Sequence, residues 1–215
     1  MPDSAGGQRI GRPRPIAGPT MPTLTLENMS FGYGRGDIFS SVSVETSNAL
    51  LCTGANGSGK TTLLKLLARV LWPRAGTIRL DGRRRYVSAA FFGDEILLDD
   101  LTVFAHFNWL KRHVDADDAF QHRARELFDL HAMWGARVGD LSCGMRRWVG
   151  LAFSLSTPSE AYFLDEPFAH LDETRMRLLI AALGEVCALG RFVALTHHVP
   201  VSLGFAHKVW NLCDG

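Results

Sequence analysis

An α/β fold is predicted, with a parallel core sheet, a small antiparallel sheet and an inserted helical lobe. Three observations predict it. Short apolar runs at 49–52, 161–164 and 192–195 have the length and composition of parallel strands buried on both faces. A glycine-rich loop, 54–62, follows the first run and opens a helix near Lys60. Ahead of that loop, apolar residues alternate at Leu24, Leu26, Phe31, Tyr33, Val42 and Val44, as in a half-exposed antiparallel sheet.

The chain has 215 residues, 47% of them apolar, which suits one well-cored domain or one core with an inserted lobe. A net charge of +1 argues against a nucleic-acid binder, whose footprint is a basic excess. The one tight basic run, Arg83-Arg84-Arg85, reads as a solvated turn between strands. Cys52, Cys143, Cys187 and Cys213 are widely spaced and form no Cys-x-x-Cys pair, so neither a disulfide framework nor a zinc site is expected, and a reducing, cytoplasmic location fits. No apolar run approaches the ~20 residues of a membrane span. The first twenty residues also lack the hydrophobic core of a signal peptide.

Residues 1–20 are rich in Pro, Gly and Arg and are expected to be a disordered extension, with Met21 a candidate initiator. The folded domain then runs over 21–215. Its glycine-rich loop, GANGSGKTT, fits Gly-x-x-x-x-Gly-Lys-Ser/Thr with Gly54, Gly59, Lys60 and Thr61 in the defining places. Glycines at Gly54, Gly57 and Gly59 let backbone N–H groups turn inward, and the helix start adds its positive end, which makes the loop a cradle for polyphosphate. Ala55, Asn56, Ser58 and Thr62 complete it. Lys60 is expected to reach the terminal phosphates of a nucleotide and Thr61 to hold a magnesium ion. The helix from Lys60 repeats Leu63, Leu64, Leu66, Leu67, Val70 and Leu71, with Pro73 as its stop.

Gly76 and Asp81-Gly82 mark turns around a strand at 77–80. Between Leu101 and Leu130 the spacing is helical: Leu101, Phe104, Phe107 and Leu110 share one face, then Phe120, Leu127 and Leu130 another, with polar 115–118 between. The helical lobe is placed at about 91–150. Leu141-Ser142-Cys143-Gly144-Met145 opens a further helix running to about Thr157, with Ser142 as its cap and a second anion site at its positive end. Cys143, at that helix start, is expected to be the most reactive of the four thiols.

Asp165 and Glu166 leave the carboxyl end of a buried strand, where open parallel sheets place their ligands. Asp165 is expected at the magnesium, and Glu166 to polarise the water that attacks the terminal phosphate. A helix from near Asp172 to Gly190 leads to the next strand, ending at His197-His198. Neighbouring strand residues point to opposite faces, so these two histidines are expected to diverge and not to share a metal.

These motifs, in order from about Leu24 to Gly215, resemble the ATP-binding subunits of ABC transporters. Tyr33 in SFGYG is similar to the aromatic that stacks on adenine, and LSCGM resembles the family signature, usually LSGGQ. YFLDEP resembles the segment with the magnesium aspartate and catalytic glutamate. Ala169-His170-Leu171-Asp172 resembles the loop that meets a second subunit, and His197 the switch histidine at the terminal phosphate. The resemblance implies ATP and Mg2+ as cofactors and hydrolysis that drives an integral membrane permease. It also implies two ATP-binding subunits packed head to tail as a homodimer, so that Ser142 and Gly144 of one cover the ATP of the other. The chain would then be peripheral on the cytoplasmic face of the inner membrane, with no nucleic-acid partner.

The compact size, DEPF and the THH ending are similar to the haem-exporter ATPases of bacterial cytochrome c assembly. A non-transport ATPase switch of the same superfamily is the alternative, although such proteins usually carry paired cassettes or coiled-coil insertions that this chain lacks. A small-molecule kinase is a third class, one that needs no signature helix. The family also places a glutamine after the strand that enters the helical lobe, where it contacts magnesium and the attacking water. Residues 86–94 hold none, and the chain's two glutamines are Gln8 and Gln121. Binding is expected to survive this loss, with slow basal hydrolysis; the alternative is that Asp94 or Glu95 folds back and replaces the lost contact.

Overall fold

A computed structural model of the chain describes residues 21–84, 89–92, 97–114, 122 and 125–212. The N-terminal extension, Gln8, Arg85, residues 86–88, Asp94, Glu95, residues 115–118, Phe120, Gln121 and Cys213 lie outside the described residues.

The core is a parallel sheet of strands β3 (Ala49–Thr53), β5 (Ala89–Phe92), β6 (Ala161–Leu164), β7 (Phe192–His197) and β8 (Lys208–Asn211), in the order β5-β6-β7-β3-β8. Alternation divides the side chains of its central strands between two hydrophobic cores. Ala49, Leu51, Leu164, Val193 and Leu195 face one, with helices α3 (Cys143–Leu155) and α4 (Glu173–Ala188) packed over them through Val149, Leu151, Leu179 and Leu183. Leu50, Cys52, Phe163, Phe192 and Ala194 face the other, against Leu63, Leu64, Leu66 and Leu67 of helix α1 (Lys60–Leu67). The register pairs Thr53 with His197 and Leu164 with Leu195, which brings the carboxyl ends of β3, β6 and β7 level.

The second sheet is antiparallel, with β1 (Thr23–Phe31) between β2 (Phe39–Ser47) and β4 (Ala75–Leu80). Its Leu24, Leu26, Met29, Ile78 and Leu80 close the second core. The sheet is thus built from both sides of the phosphate loop rather than wholly ahead of it. Gly76, at φ 80°, marks the junction: a Cβ there would lie 2.3 Å from the Asn28 carbonyl oxygen.

Two helical expectations are corrected. Helix α1 stops at Leu67, six residues short of Pro73, because Arg69 adopts a left-handed φ of 61° and the Val70 and Leu71 N–H groups both turn back to Lys65 O. The Arg69 guanidinium donates to Ile78 O and Arg84 O, tying this non-glycine stop to β4. Helix α2 (Val103–His113) has the expected period but a different phase. Val103, His106, Phe107 and Leu110 are buried, whereas Leu101 and Phe104 are 39% and 50% exposed. The reason is His106, a polar residue at a core position with both ring nitrogens engaged. Nε2 accepts from the Leu98 N–H at 2.9 Å, and Nδ1 lies 2.9 Å from Thr102 O.

Trp148 of α3 is 2% exposed, lies 4.6 Å from the Phe128 ring and donates from Nε1 to Phe128 O at 2.8 Å. It fastens the helix after LSCGM to the helical lobe.

Candidate active site

The phosphate loop leaves β3 and enters α1 with Gly57 and Gly59 at φ 84° and 94°. A Cβ on Gly59 would come within 2.7 Å of the Ile38 side chain, so that position needs glycine twice over, for conformation and for space. Gly54 is buried, Ala55, Asn56 and Gly57 are exposed, and the Ser58 N–H donates to Ala55 O at 3.2 Å. Ser58 Oγ is buried with no hydrogen-bond partner among the described residues, a polar atom that a ligand could engage. Lys60, only 6% exposed, folds along the loop and donates to Gly54 O at 2.8 Å and Ala55 O at 3.1 Å. Thr61 is exposed beside it, whereas Thr62 is buried toward the core.

The ends of β6 and β7 meet this loop. Thr61 Oγ1 donates to Asp165 Oδ2 at 2.6 Å, and Thr196 Oγ1 donates to Asp165 Oδ1 at 2.7 Å. The Glu166 N–H donates to the same Thr196 hydroxyl at 2.8 Å. Glu166 sits at a left-handed φ of 45°, and its two carboxylate oxygens face different partners. Oε1 lies 3.5 Å from Lys60 Nζ, and Oε2 lies 3.0 Å from His197 Nδ1. The Phe168 ring meets His197 edge-on at 5.7 Å. Lys60, Thr61, Asp165, Glu166 and His197, spread over 138 sequence positions, therefore form one cluster at the carboxyl edge of the parallel sheet.

The signature residues stand outside that cluster of bonds. Ser142 caps α3, its hydroxyl accepting from the Met145 N–H at 3.3 Å, and is exposed. Gly144 lies near the His170 backbone, where an added Cβ would be 3.9 Å from the carbonyl oxygen. Tyr33 is 59% exposed beyond the end of β1, edge-on to Phe31 at 5.1 Å.

Three participants escaped the sequence reading. Thr196 joins Asp165 to Glu166 and was legible only as the residue before His197. Arg147 of α3 donates to the carbonyl oxygens of Asp165 and Glu166 while its guanidinium lies 5.1 Å from the Phe92 ring. It links the signature helix to the acidic strand end, and nothing in the sequence marks it. The third is His198. The expectation that it diverges from His197 fails, because β7 ends at His197 and strand alternation ends with it. The two rings lie 4.1 Å apart and His198 Nδ1 is 3.7 Å from Glu166 Oε2.

The family model described as ABC transporter matches residues 40–169, more than half of the chain. The chain belongs to the ABC transporter family. Relatives agree with that membership along most of its length. The cytochrome c biogenesis ATP-binding export protein CcmA of Roseobacter denitrificans is 32% identical over 84% of this chain and 86% of its own. A probable siderophore transport system ATP-binding protein of Bacillus subtilis, YusV, is 27% identical over 90% of this chain and 78% of its own. Among solved structures, a putative ABC transporter ATP-binding protein from Pyrococcus furiosus superimposes with a TM-score of 0.76 at 23% identity, covering 89% of this chain and 98% of that one. This likeness shows the ABC ATPase fold. The protein is an ABC transporter ATP-binding subunit, an ATPase whose family hydrolyses ATP to power transport alongside membrane permease components. No helix among its described residues is long and apolar enough to cross a membrane.

The thiols of this ABC protein should differ sharply in reactivity. Burial pushes the Cys52 and Cys187 thiols up to about 12, whereas Cys143 is exposed at the start of α3. Brief alkylation at neutral pH followed by peptide mapping is expected to label Cys143 well before Cys52 and Cys187. Earlier labelling of Cys187 would contradict the placement of LSCGM at the surface.

Proposed function

We propose that two copies of this chain bind two ATP molecules head to tail and hydrolyse them with the residues gathered around Lys60 and Glu166. The carrying observation is the split of the Glu166 carboxylate between Lys60 and His197, since it sets a base, a phosphate-binding cation and an imidazole around one small volume. Lys60 and the 54–62 loop, including Ala55, Asn56, Ser58 and Thr62, hold the phosphates, and Tyr33 stacks on the adenine. His197 contacts the terminal phosphate. Glu166 accepts the proton of the attacking water.

The Thr61 hydroxyl and the Asp165 carboxylate, 2.6 Å apart, are the hard oxygen donors that magnesium takes. When bound, the ion would neutralise charge on the phosphates. Ser142 and Gly144, exposed and half-buried outside the Lys60 cluster, are assigned to the ATP held by the second copy. The N-terminal positive end of α3 would supply further backbone donors there.

The lobe at about 91–150 is assigned as the helical subdomain of an ATP-binding domain spanning 21–215, and the subunit as peripheral on the cytoplasmic face of the inner membrane. Export serving cytochrome c biogenesis, with haem as cargo, is the transport role we favour, on the relative of that name at 32% identity and on the DEPF and THH segments.

Ser142→Ala tests the shared site against a kinase-like site complete within one chain. Losing the cap costs about 1 kcal/mol of stability, too little to unfold the domain. ATP binding to the isolated chain is expected to persist while steady-state hydrolysis falls at least tenfold. Unchanged hydrolysis would contradict a role for the signature in the second copy's site.

A further inference from the structure

We propose that Glu166, His197 and His198 form a binding site for a zinc-class divalent cation in the nucleotide-free subunit. Among the described residues they are the one group of three whose ligand-capable atoms lie together, all within 4.8 Å of one another. Two imidazoles and one carboxylate are a zinc donor set that leaves a fourth position open. Imidazole also selects zinc, copper or nickel over the magnesium used with ATP. Tetrahedral zinc with bonds of ~2.0–2.1 Å sets its ligand atoms about 3.4 Å apart. The His197 Nδ1 to Glu166 Oε2 and His198 Nδ1 to Glu166 Oε2 separations, 3.0 and 3.7 Å, bracket that spacing. Both imidazoles address the same oxygen, Oε2, while Oε1 is turned to Lys60.

The site is partly prearranged. Glu166 is held by its N–H bond to Thr196 and by its left-handed backbone, and His197, with 8% of its side chain exposed, by the Phe168 ring. His198, with 62% of its side chain exposed, is the arm free to turn. The opposing influence is Lys60, whose ammonium lies 3.5 Å from Oε1 and weakens attraction for a cation. Lys60 keeps two other acceptors, Gly54 O and Ala55 O, so it is not obliged to stay with Glu166. Nucleotide and zinc exclude one another if Glu166 and His197 serve hydrolysis. Zinc would then inhibit the ATPase by occupying its base and its switch imidazole, a consequence that rests on the function proposed above, whereas binding itself rests on geometry alone.

The test titrates zinc into the nucleotide-free chain against a chromophoric zinc indicator, in a Cys143→Ser, Cys213→Ser background that removes the thiol exposed among the described residues and the one that lies outside them. One equivalent is expected to bind, with affinity reduced at least ~100-fold in His198→Ala. Cobalt in place of zinc should give the visible absorption of a four-coordinate site without a thiolate band. His198→Ala removes an exposed side chain, and ATP binding by the variant shows that it is folded. Absence of saturable one-to-one binding, or binding equally tight in His198→Ala, overturns the site. In the second arm, buffered free zinc is expected to slow hydrolysis by the parent and to spare His198→Ala. Zinc bound through His198 that leaves hydrolysis untouched would uphold the site and overturn the catalytic placing of Glu166 and His197.

Discussion

Lys60→Ala is expected to weaken ATP binding by about 10- to 100-fold and to remove nearly all turnover. Lys60 is almost fully buried, and its ammonium is held at the rim of the phosphate loop by Gly54 O and Ala55 O and faced by Glu166. A charge-assisted bond from such a group to phosphate is worth ~1.5–3 kcal/mol, which sets the affinity loss. Turnover should fall further, because the charge growing on the transferred phosphoryl oxygens is then uncompensated. Fluorescent nucleotide binding and phosphate release measured on the same preparation separate the two effects. An unmodified rate in Lys60→Ala would contradict the placing of nucleotide at this loop.

Glu166→Gln should divide binding from chemistry more cleanly. Glutamine keeps the shape of the side chain and can still meet His197 and Lys60, so the loop and its nucleotide contacts should be preserved. What disappears is the proton acceptor, worth ~10²- to 10⁴-fold in rate for a general base. Single-turnover hydrolysis of prebound ATP is expected to slow by at least ~100-fold while ATP affinity stays within a few fold of the parent. A parent-like single turnover would assign the base elsewhere.

Much of this site was legible because its parts obey local rules. GANGSGKTT needs glycine at fixed backbone positions, DE follows a buried strand, and Ser142 and Asp172 cap helices through hydroxyl and carboxylate contacts to Met145 and Arg175 N–H groups. Core strands β3, β6 and β7 were readable as continuous apolar runs because both of their faces are covered, whereas the edge strand β8, with Lys208 and Val209 exposed, carries no such run. Legibility failed where a long-range contact overrode a local pattern. Arg69 ends α1 without glycine by reaching across to β4, and His106 takes a core position that hydrophobic periodicity assigns to Phe104. The pairing of His197 with His198 was hidden because alternation holds only inside a strand, and the strand ends between them. Arg147 was hidden for a different reason: its bonds go to backbone carbonyls eighteen and nineteen residues away, and no residue type signals such partners. β4 joining the antiparallel sheet from beyond the loop is likewise a matter of topology, which strand patterning alone leaves open.

The claim that two chains share each nucleotide is tested most directly by light scattering of the Glu166→Gln protein. Slowed hydrolysis leaves the ATP-closed state populated, since the step that reopens it is blocked. Without nucleotide the protein should scatter as a monomer of 23.7 kDa. With Mg2+ and saturating ATP it should shift to twice that mass, and adding Ser142→Ala to the same chain should abolish the shift. A protein that binds ATP yet remains at the monomer mass, at concentrations well above its affinity for ATP, would contradict the shared site.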